Sequence, residues 1–448
     1  MTAVITAWAD FVIAKRLYIL VASVLFLAAI LLTGKTIPFD NSTERYFVVG
    51  DPALVEYDRL IELFGDNEYL IVGFEAAEGV SDVFNADTLR DLARVSEFLE
   101  FHENITQLRS LTTFQYIHAD ADDLRTDYLI EDVEDLINNQ DAIAEVKATL
   151  AEEQLAVGSL ITSDYRHTRV AARVEYSDDT SEIKINLVQD LYRFIEEENI
   201  SSEDYLLHLS GYPLVQERFE TVSAEDLDIL IPIMVVLMVV ILFSSFRSLT
   251  ATLAPWLVIA IGILTVLEIQ GYLGIPHTTV DSGALLPTLI IIGIGITIHI
   301  LLEFFHFMNK GSSGSDAAHA TILNIWRPAF FTAITTSAGF YALSITKIMP
   351  IREFALLGAI GPIVLFFLSL TVLPALLSYM KSIPVKTHDV LDGGLISRIA
   401  QKVPDFTLKN RNPILLAALA VMVFSIWNIP NIKIDTNYVN LFKEDSAT

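Results

Sequence analysis

His299 and Glu303 stand four residues apart in the apolar run Leu285–Phe305. That spacing places both side chains along one face of a helix. An imidazole titrates nearest physiological pH, and a carboxylate one turn away can interact with it along that face. Ionisable groups at hydrocarbon depth are costly, so they default to a functional reading. Thr297 sits beside them. A neighbouring apolar run, Ala329–Ile348, carries Thr332, Thr335, Thr336 and Ser337, whose hydroxyls could hydrogen-bond to such groups. Glu268, near the end of the run Leu253–Gly271, is a third ionisable group of this kind. Each has a plainer alternative. His299 would be a neutral side chain hydrogen-bonded across a bundle, Glu303 and Glu268 interfacial carboxylates, and the threonines small-residue packing.

Other chemistries lack their residues. GxxxxGK[ST], HExxH, GxSxG and His-rich clusters do not occur, so neither an enzyme, a cofactor nor a bound metal is expected. The acidic series Asp122, Asp123, Asp127, Glu131, Asp132, Glu134 and Asp135 could hold a cation. It lacks EF-hand spacing, and a solvated helix face is the simpler reading.

These residues require membrane elements. The chain is 52% hydrophobic over 448 residues with a mean hydropathy of +0.48, too apolar for an ordinary soluble protein. Cysteine is absent, which excludes disulfides and thiolate sites. The net charge of −27 is unevenly placed. Lys35 to Asp226 holds 43 acidic and 14 basic residues, and the remainder 13 and 15. An acidic soluble domain is thus set in a near-neutral membrane part, and nucleic-acid binding is disfavoured.

Seven spans are expected: Leu17–Leu32, Leu227–Phe243, Leu253–Gly271, Leu285–Phe305, Ala329–Ile348, Phe354–Tyr379 and Pro413–Ile429. Lys15 and Arg16 place the N-terminus in the cytoplasm. Alternate threading puts Arg247, Lys310, Arg327, Lys381, Lys386, Arg398, Lys402, Lys409 and Arg411 on the same side, with the acidic domain opposite. The organisation is residues 1–34, N-terminus and first span; 35–226, soluble domain; 227–380, a five-span bundle; 381–412, a linker with an amphipathic helix; and 413–448, a seventh span.

Within the domain, Glu68–Glu75, Ile105–Thr112, His167–Tyr176 and Tyr205–Leu209 read as strands. Asp87–His102 and Ile183–Glu198 read as helices, the first with Leu89, Leu92, Val95 and Leu99 on one stripe. Strand-helix-strand, twice, is the ferredoxin-like unit. An acidic, helix-forming insert over about 119–153 separates the halves.

The chain also repeats itself. Shifted by 395 positions, Phe11 meets Phe406, Arg16 meets Arg411, Ile19-Leu20 meets Ile414-Leu415, Ile37 meets Ile432, Asp40 meets Asp435 and Phe47 meets Phe442. This reads as one complete transporter half plus the opening of a second, cut short at Thr448.

Several strings occur in a specific order: Phe39-Asp40-Asn41-Ser42, Phe64-Gly65-Asp66, Leu108-Arg109-Ser110-Leu111-Thr112, Gly211-Tyr212-Pro213, Phe246-Arg247-Ser248, Gly293-Ile294-Gly295, Ile298-His299, Arg327-Pro328, Pro350-Ile351-Arg352-Glu353-Phe354 and Leu373-Pro374-Ala375. In these the chain resembles the resistance–nodulation–division (RND) superfamily, in its MMPL-like lipid-exporter branch. Its spans two to six also resemble a sterol-sensing bundle. The resemblance implies a bacterial inner-membrane, multi-pass exporter of hydrophobic or lipid-like molecules, driven by protons. It implies an α-helical bundle of about seven spans with a ferredoxin-like periplasmic porter domain between spans one and two. Partners would be lipid, the membrane, and a second copy in a dimer or trimer, or else a missing C-terminal half. Family members usually carry the proton on an Asp in the fourth span. The matching position here is Ile296, which cannot titrate, so the relay would pass to His299, Glu303 or Glu268. That departure opens an alternative, a non-transporting lipid-binding accessory or sensor that binds a partner through its periplasmic domain.

Overall fold

A computed structural model describes the chain except residues 1, 36, 41, 43, 49, 65–67, 121–122, 154, 176–179, 247, 382–394 and 433–448. Asn41, Gly65, Asp66, Asp122, Tyr176, Arg247, Lys386, Asp435, Phe442 and Thr448 lie outside the described residues.

The helices in chain order are α1 (Thr2–Ala14), α2 (Arg16–Thr33), α3 (Pro52–Phe64), α4 (Ala86–Glu100), α5 (Val133–Ile137), α6 (Gln140–Glu152) and α7 (Thr180–Glu197). They continue with α8 (Tyr212–Phe246), α9 (Leu249–Tyr272), α10 (Leu286–Asn309), α11 (Gly314–Ala342), α12 (Met349–Ser369), α13 (Val372–Leu377), α14 (Leu395–Lys409) and α15 (Arg411–Asn428). The strands are β1 (Tyr69–Ala76), β2 (Ile105–Arg109), β3 (Gln115–Asp120), β4 (Asp123–Tyr128), β5 (His167–Val174) and β6 (Tyr205–Ser210).

Four strands form one antiparallel sheet in the order β2-β5-β1-β6. Alternation builds it: in β1, Leu70, Val72, Phe74 and Ala76 point into the core and the residues between them do not. Asn85 starts α4, its side chain accepting from the Thr88 amide at 2.9 Å. The stripe Leu89, Leu92, Val95 and Leu99 is then buried, as the spacing predicts. Leu187, Val188 and Leu191 of α7 bury beside it, and Phe98 stacks on Phe194 at 4.2 Å between ring centroids.

The acidic insert differs from expectation at its start. Residues 115–128 are a hairpin, β3 pairing β4 from Gln115↔Tyr128 to Asp120↔Asp123, and helix begins only at α5. Tyr116, Ile117 and Thr126 favour pleated structure.

Among the described residues, six helices are long and apolar enough to cross a membrane: Arg16–Thr33, Tyr212–Ser244, Leu249–Tyr272, Asp281–Asn309, Met349–Leu377 and Arg411–Asn431. The expected span that is not among them, Ala329–Ile348, falls largely in α11. That helix has 29 residues, but Arg327, Thr332, Thr335, Thr336 and Ser337 dilute its apolar character. It nonetheless packs against both α10 and α12. The run Phe354–Tyr379 is not one rod, because α12 stops at Ser369 and α13 resumes at Val372. None of the most apolar part of Arg411–Asn431 is buried.

The bundle core is built from α8 to α13, with Val258, Ile259, Leu289, Ile300, Phe304, Phe305, Leu357 and Leu365 at its centre. Helices α9, α10 and α12 approach closely at glycines. A Cβ on Gly293 would lie 2.6 Å from Ile259, and one on Gly361 would lie 2.1 Å from Leu289. Helix α8 runs 35 residues without a break. It packs first on α7, β1 and β6, and then on α9. One helix thus joins the α+β unit to the bundle.

Candidate functional site

The candidate residues of α10 are dispersed rather than gathered. Ile296 and Thr297 are buried, and the Thr297 hydroxyl donates to the carbonyls of Gly293 (2.8 Å) and Ile294 (3.1 Å) within its own helix. His299 is exposed on the flank of the bundle. Glu303 is half-buried and accepts from the Asn324 side chain of α11 at 2.9 Å, so its partner is that helix and not His299. Thr332 and Thr335 are exposed, and Thr335 donates back to Phe331 O at 2.7 Å. Thr336 is half-buried, and Ser337 is buried with its hydroxyl unpartnered among the described residues. The Glu268 carboxylate rests against the end of α2, where a Cβ on Gly34 would lie 3.3 Å from Oε2.

A denser polar cluster lies at the end of the bundle nearest the α+β unit. Helix α10 is preceded by a π-turn, Asp281–Leu285. Asp281 is 1% exposed, and its Oδ2 accepts from Gln270 Nε2 (3.1 Å), Thr278 N (2.9 Å) and Thr278 Oγ1 (3.1 Å). Gln270, fully buried on α9, donates also to Pro276 O at 3.1 Å. Glu353, in the first turns of α12, is 7% exposed and pairs with Arg45 Nη2 at 2.6 Å. Arg45 comes from the short 3₁₀ turn Glu44–Tyr46, in the segment joining α2 to α3. Its Nε lies 3.9 Å from Asp40 Oδ2. The π-turn and the 3₁₀ turn both pack on α12.

Charge does not balance within this cluster. Asp40 and Glu353 share one guanidinium, Arg45, and a third carboxylate, Asp281, acts on Glu353. The nearby His277 does not correct the deficit, because burial pushes its imidazole below the usual range and holds it neutral at neutral pH. Its Nε2 lies 2.7 Å from Ser282 Oγ. Asp281 Oδ1, Glu353 Oε2 and Gln270 Oε1 are buried and unpartnered among the described residues. Such an arrangement can bind, hold and release a proton.

Sequence reasoning placed Asp40 and Glu353 in motifs without giving them a role. The available signal was their position: each carboxyl flanks the same end of an apolar run.

The acids of the insert act otherwise. Asp132 caps α5, and Glu134 makes a two-pronged pair with Arg90 at 2.6 and 3.0 Å. The guanidinium holds that carboxyl below the usual carboxylate range.

A helical bundle with buried acids at its mouth, joined to a small antiparallel α+β unit, defines a multi-pass membrane protein. The model of the MMPL family matches residues 85–396, and the chain belongs to that family. It is also similar to the Streptomyces coelicolor protein SCO6666, described as a membrane protein, with 25% identity over 63% of this chain and 40% of that one. The Methanocaldococcus jannaschii protein MJ1562, described likewise, is 21% identical over 68% of this chain and 74% of its own length. The chain therefore spans less than half of the Streptomyces relative.

Proposed function

We propose that the chain is half of an RND-type transporter that moves hydrophobic or lipid-like molecules out of a bacterial inner membrane, driven by inflowing protons. One observation carries this reading: a single continuous helix, α8, joins a small α+β unit to the bundle of a family member. The sheet order supports it, since β2-β5-β1-β6 with α4 and α7 in the crossovers is the ferredoxin-like arrangement. In this reading that unit is the periplasmic porter domain, the N-terminus is cytoplasmic and α11 is a further span.

Helices α10 and α11 expose Gly295, His299, Thr332, Thr335 and Gly339 on their outer faces. An imidazole against acyl chains is costly. We therefore assign this face to a second bundle, from another copy in a dimer or trimer or from further sequence, and His299 to a proton relay completed there. His299→Ala is expected to abolish export of a co-purifying lipid while native mass spectrometry still finds that lipid bound. Full export by the variant would remove His299 as the relay.

One observation favours a second reading, a lipid-binding accessory or sensor without turnover. The buried residues at the relay depth of α10, Ile296 and Thr297, cannot titrate.

A further inference from the structure

The cluster at the mouth of the bundle has an excess of buried acceptors. Asp281 Oδ1, Glu353 Oε2 and Gln270 Oε1 lack donors, against a single unpartnered donor there, Arg45 Nε, among the described residues. Gln270 is an independent sign, because a neutral amide oxygen has no charge of its own to attract a counter-ion. A buried acceptor without a donor is expensive. A proton on one carboxyl removes a buried charge and converts one orphaned acceptor into a donor.

We propose that Glu353, within electrostatic reach of the Asp281 carboxyl to which Gln270 is bonded, is a proton-binding site at the mouth of the bundle, and that its protonation unlatches Arg45. The site rests on the transporter reading and deepens it by naming where protons are taken up. The proton comes from water on the α+β side and adds to a lone pair of Glu353 Oε2. The carboxylate becomes neutral and the guanidinium keeps its charge. Arg45 then loses its ionic acceptor on α12 and is left with Asp40, on its own segment. The charged groups acting on Glu353 are Arg45 and Asp40 from the segment after α2, and Asp281 from the π-turn before α10. Because that segment leads into the α+β unit, proton binding in the bundle is transmitted to the tether of the domain. His299 is on α10, eighteen residues beyond Asp281, which is roughly 27 Å at about 1.5 Å per residue. The outer site is therefore distinct from the relay on the flank.

The test uses dicyclohexylcarbodiimide, which adds to protonated carboxyls in apolar surroundings. The purified full chain is labelled without lipid or gradient, and adducts are counted by peptide mass spectrometry. Glu353 is expected to label at least about tenfold more than the exposed Glu203 at neutral pH, where an ordinary carboxyl is almost wholly ionised. Arg45→Gln should raise the yield, by removing the cation that favours the carboxylate. Asp281→Asn should lower it, by removing a like charge. Glu353→Gln mimics the protonated state, so trypsin should cut after Arg45 faster in that variant. Labelling of Glu353 no greater than of Glu203 would overturn the site. Unchanged cleavage at Arg45 would overturn the latch. Labelling as expected in a protein that moves no lipid would sink the transporter reading and leave the proton site standing.

Discussion

Arg45→Ala is expected to destabilise the protein by about 3 kcal/mol at neutral pH, the lower end of what removing one partner of a buried ion pair costs. The Glu353 side chain is 9% exposed and the Arg45 side chain 22%, so solvent screening is weak for the acid. Without the guanidinium, the carboxyl must either stay ionised and unpaired or take up a proton. Above the range where it protonates, the full cost is present. As pH falls through that range the acid neutralises and the cost fades. The loss should therefore be largest in alkali and shrink toward acid. Glu353→Gln in the Arg45→Ala background should recover most of it, because a neutral amide needs no counter-charge. Thermal unfolding in detergent across pH reads all three. A loss independent of pH, or a double variant no better than Arg45→Ala alone, would show that the pair acts through packing and not through charge.

Gly211→Ala is expected to be at least as damaging. Gly211 joins β6 to α8, the point where the α+β unit hands over to the bundle. Its φ is +120°, and a Cβ there would lie 2.1 Å from the Tyr69 carbonyl oxygen of β1. Backbone cannot move aside as a flexible side chain can, so either the β1–β6 pairing or the start of α8 must give. We expect a loss of about 3 kcal/mol or more and poor recovery of folded protein. Gly274→Ala is the control. It shares a positive φ, +66°, but has open space where its Cβ would fall, so about 1 kcal/mol is expected. Size-exclusion profiles and melting curves compare the two. Equal behaviour would mean that the clash at Tyr69 is relieved at no cost.

The parts of this molecule set by local pattern were readable from its residues. The stripe Leu89, Leu92, Val95 and Leu99 and the alternation Leu70, Val72, Phe74 name their elements, because burial follows the period of each. The hairpin at 115–128 is not legible in the residues, since acidic residues suit a turn and a solvated helix face equally. The break between α12 and α13 and the polarity of α11 made span counting by hydropathy uncertain in the same region.

The site shows the sharper limit. His299 and Glu303 are four residues apart, yet Glu303 bonds to Asn324 on α11 while His299 looks outward. Spacing fixes which face a residue occupies, but neighbouring helices fix what that face meets. Arg45 and Glu353 are 308 positions apart, and Asp281 is brought near Glu353 by the packing of its π-turn against α12. No local pattern marks a meeting of that kind. The one sequence clue was that carboxyls flank the same end of several apolar runs.

The most direct test of the account is movement of lipid by the purified chain in sealed vesicles, with and without an imposed proton gradient. The account predicts that a fluorescent lipid-like cargo crosses only when protons can flow inward through the protein, and that Glu353→Gln stops it. Cargo movement unaffected by the gradient, or lipid that binds and never crosses, would contradict it and leave a lipid-binding membrane protein in its place.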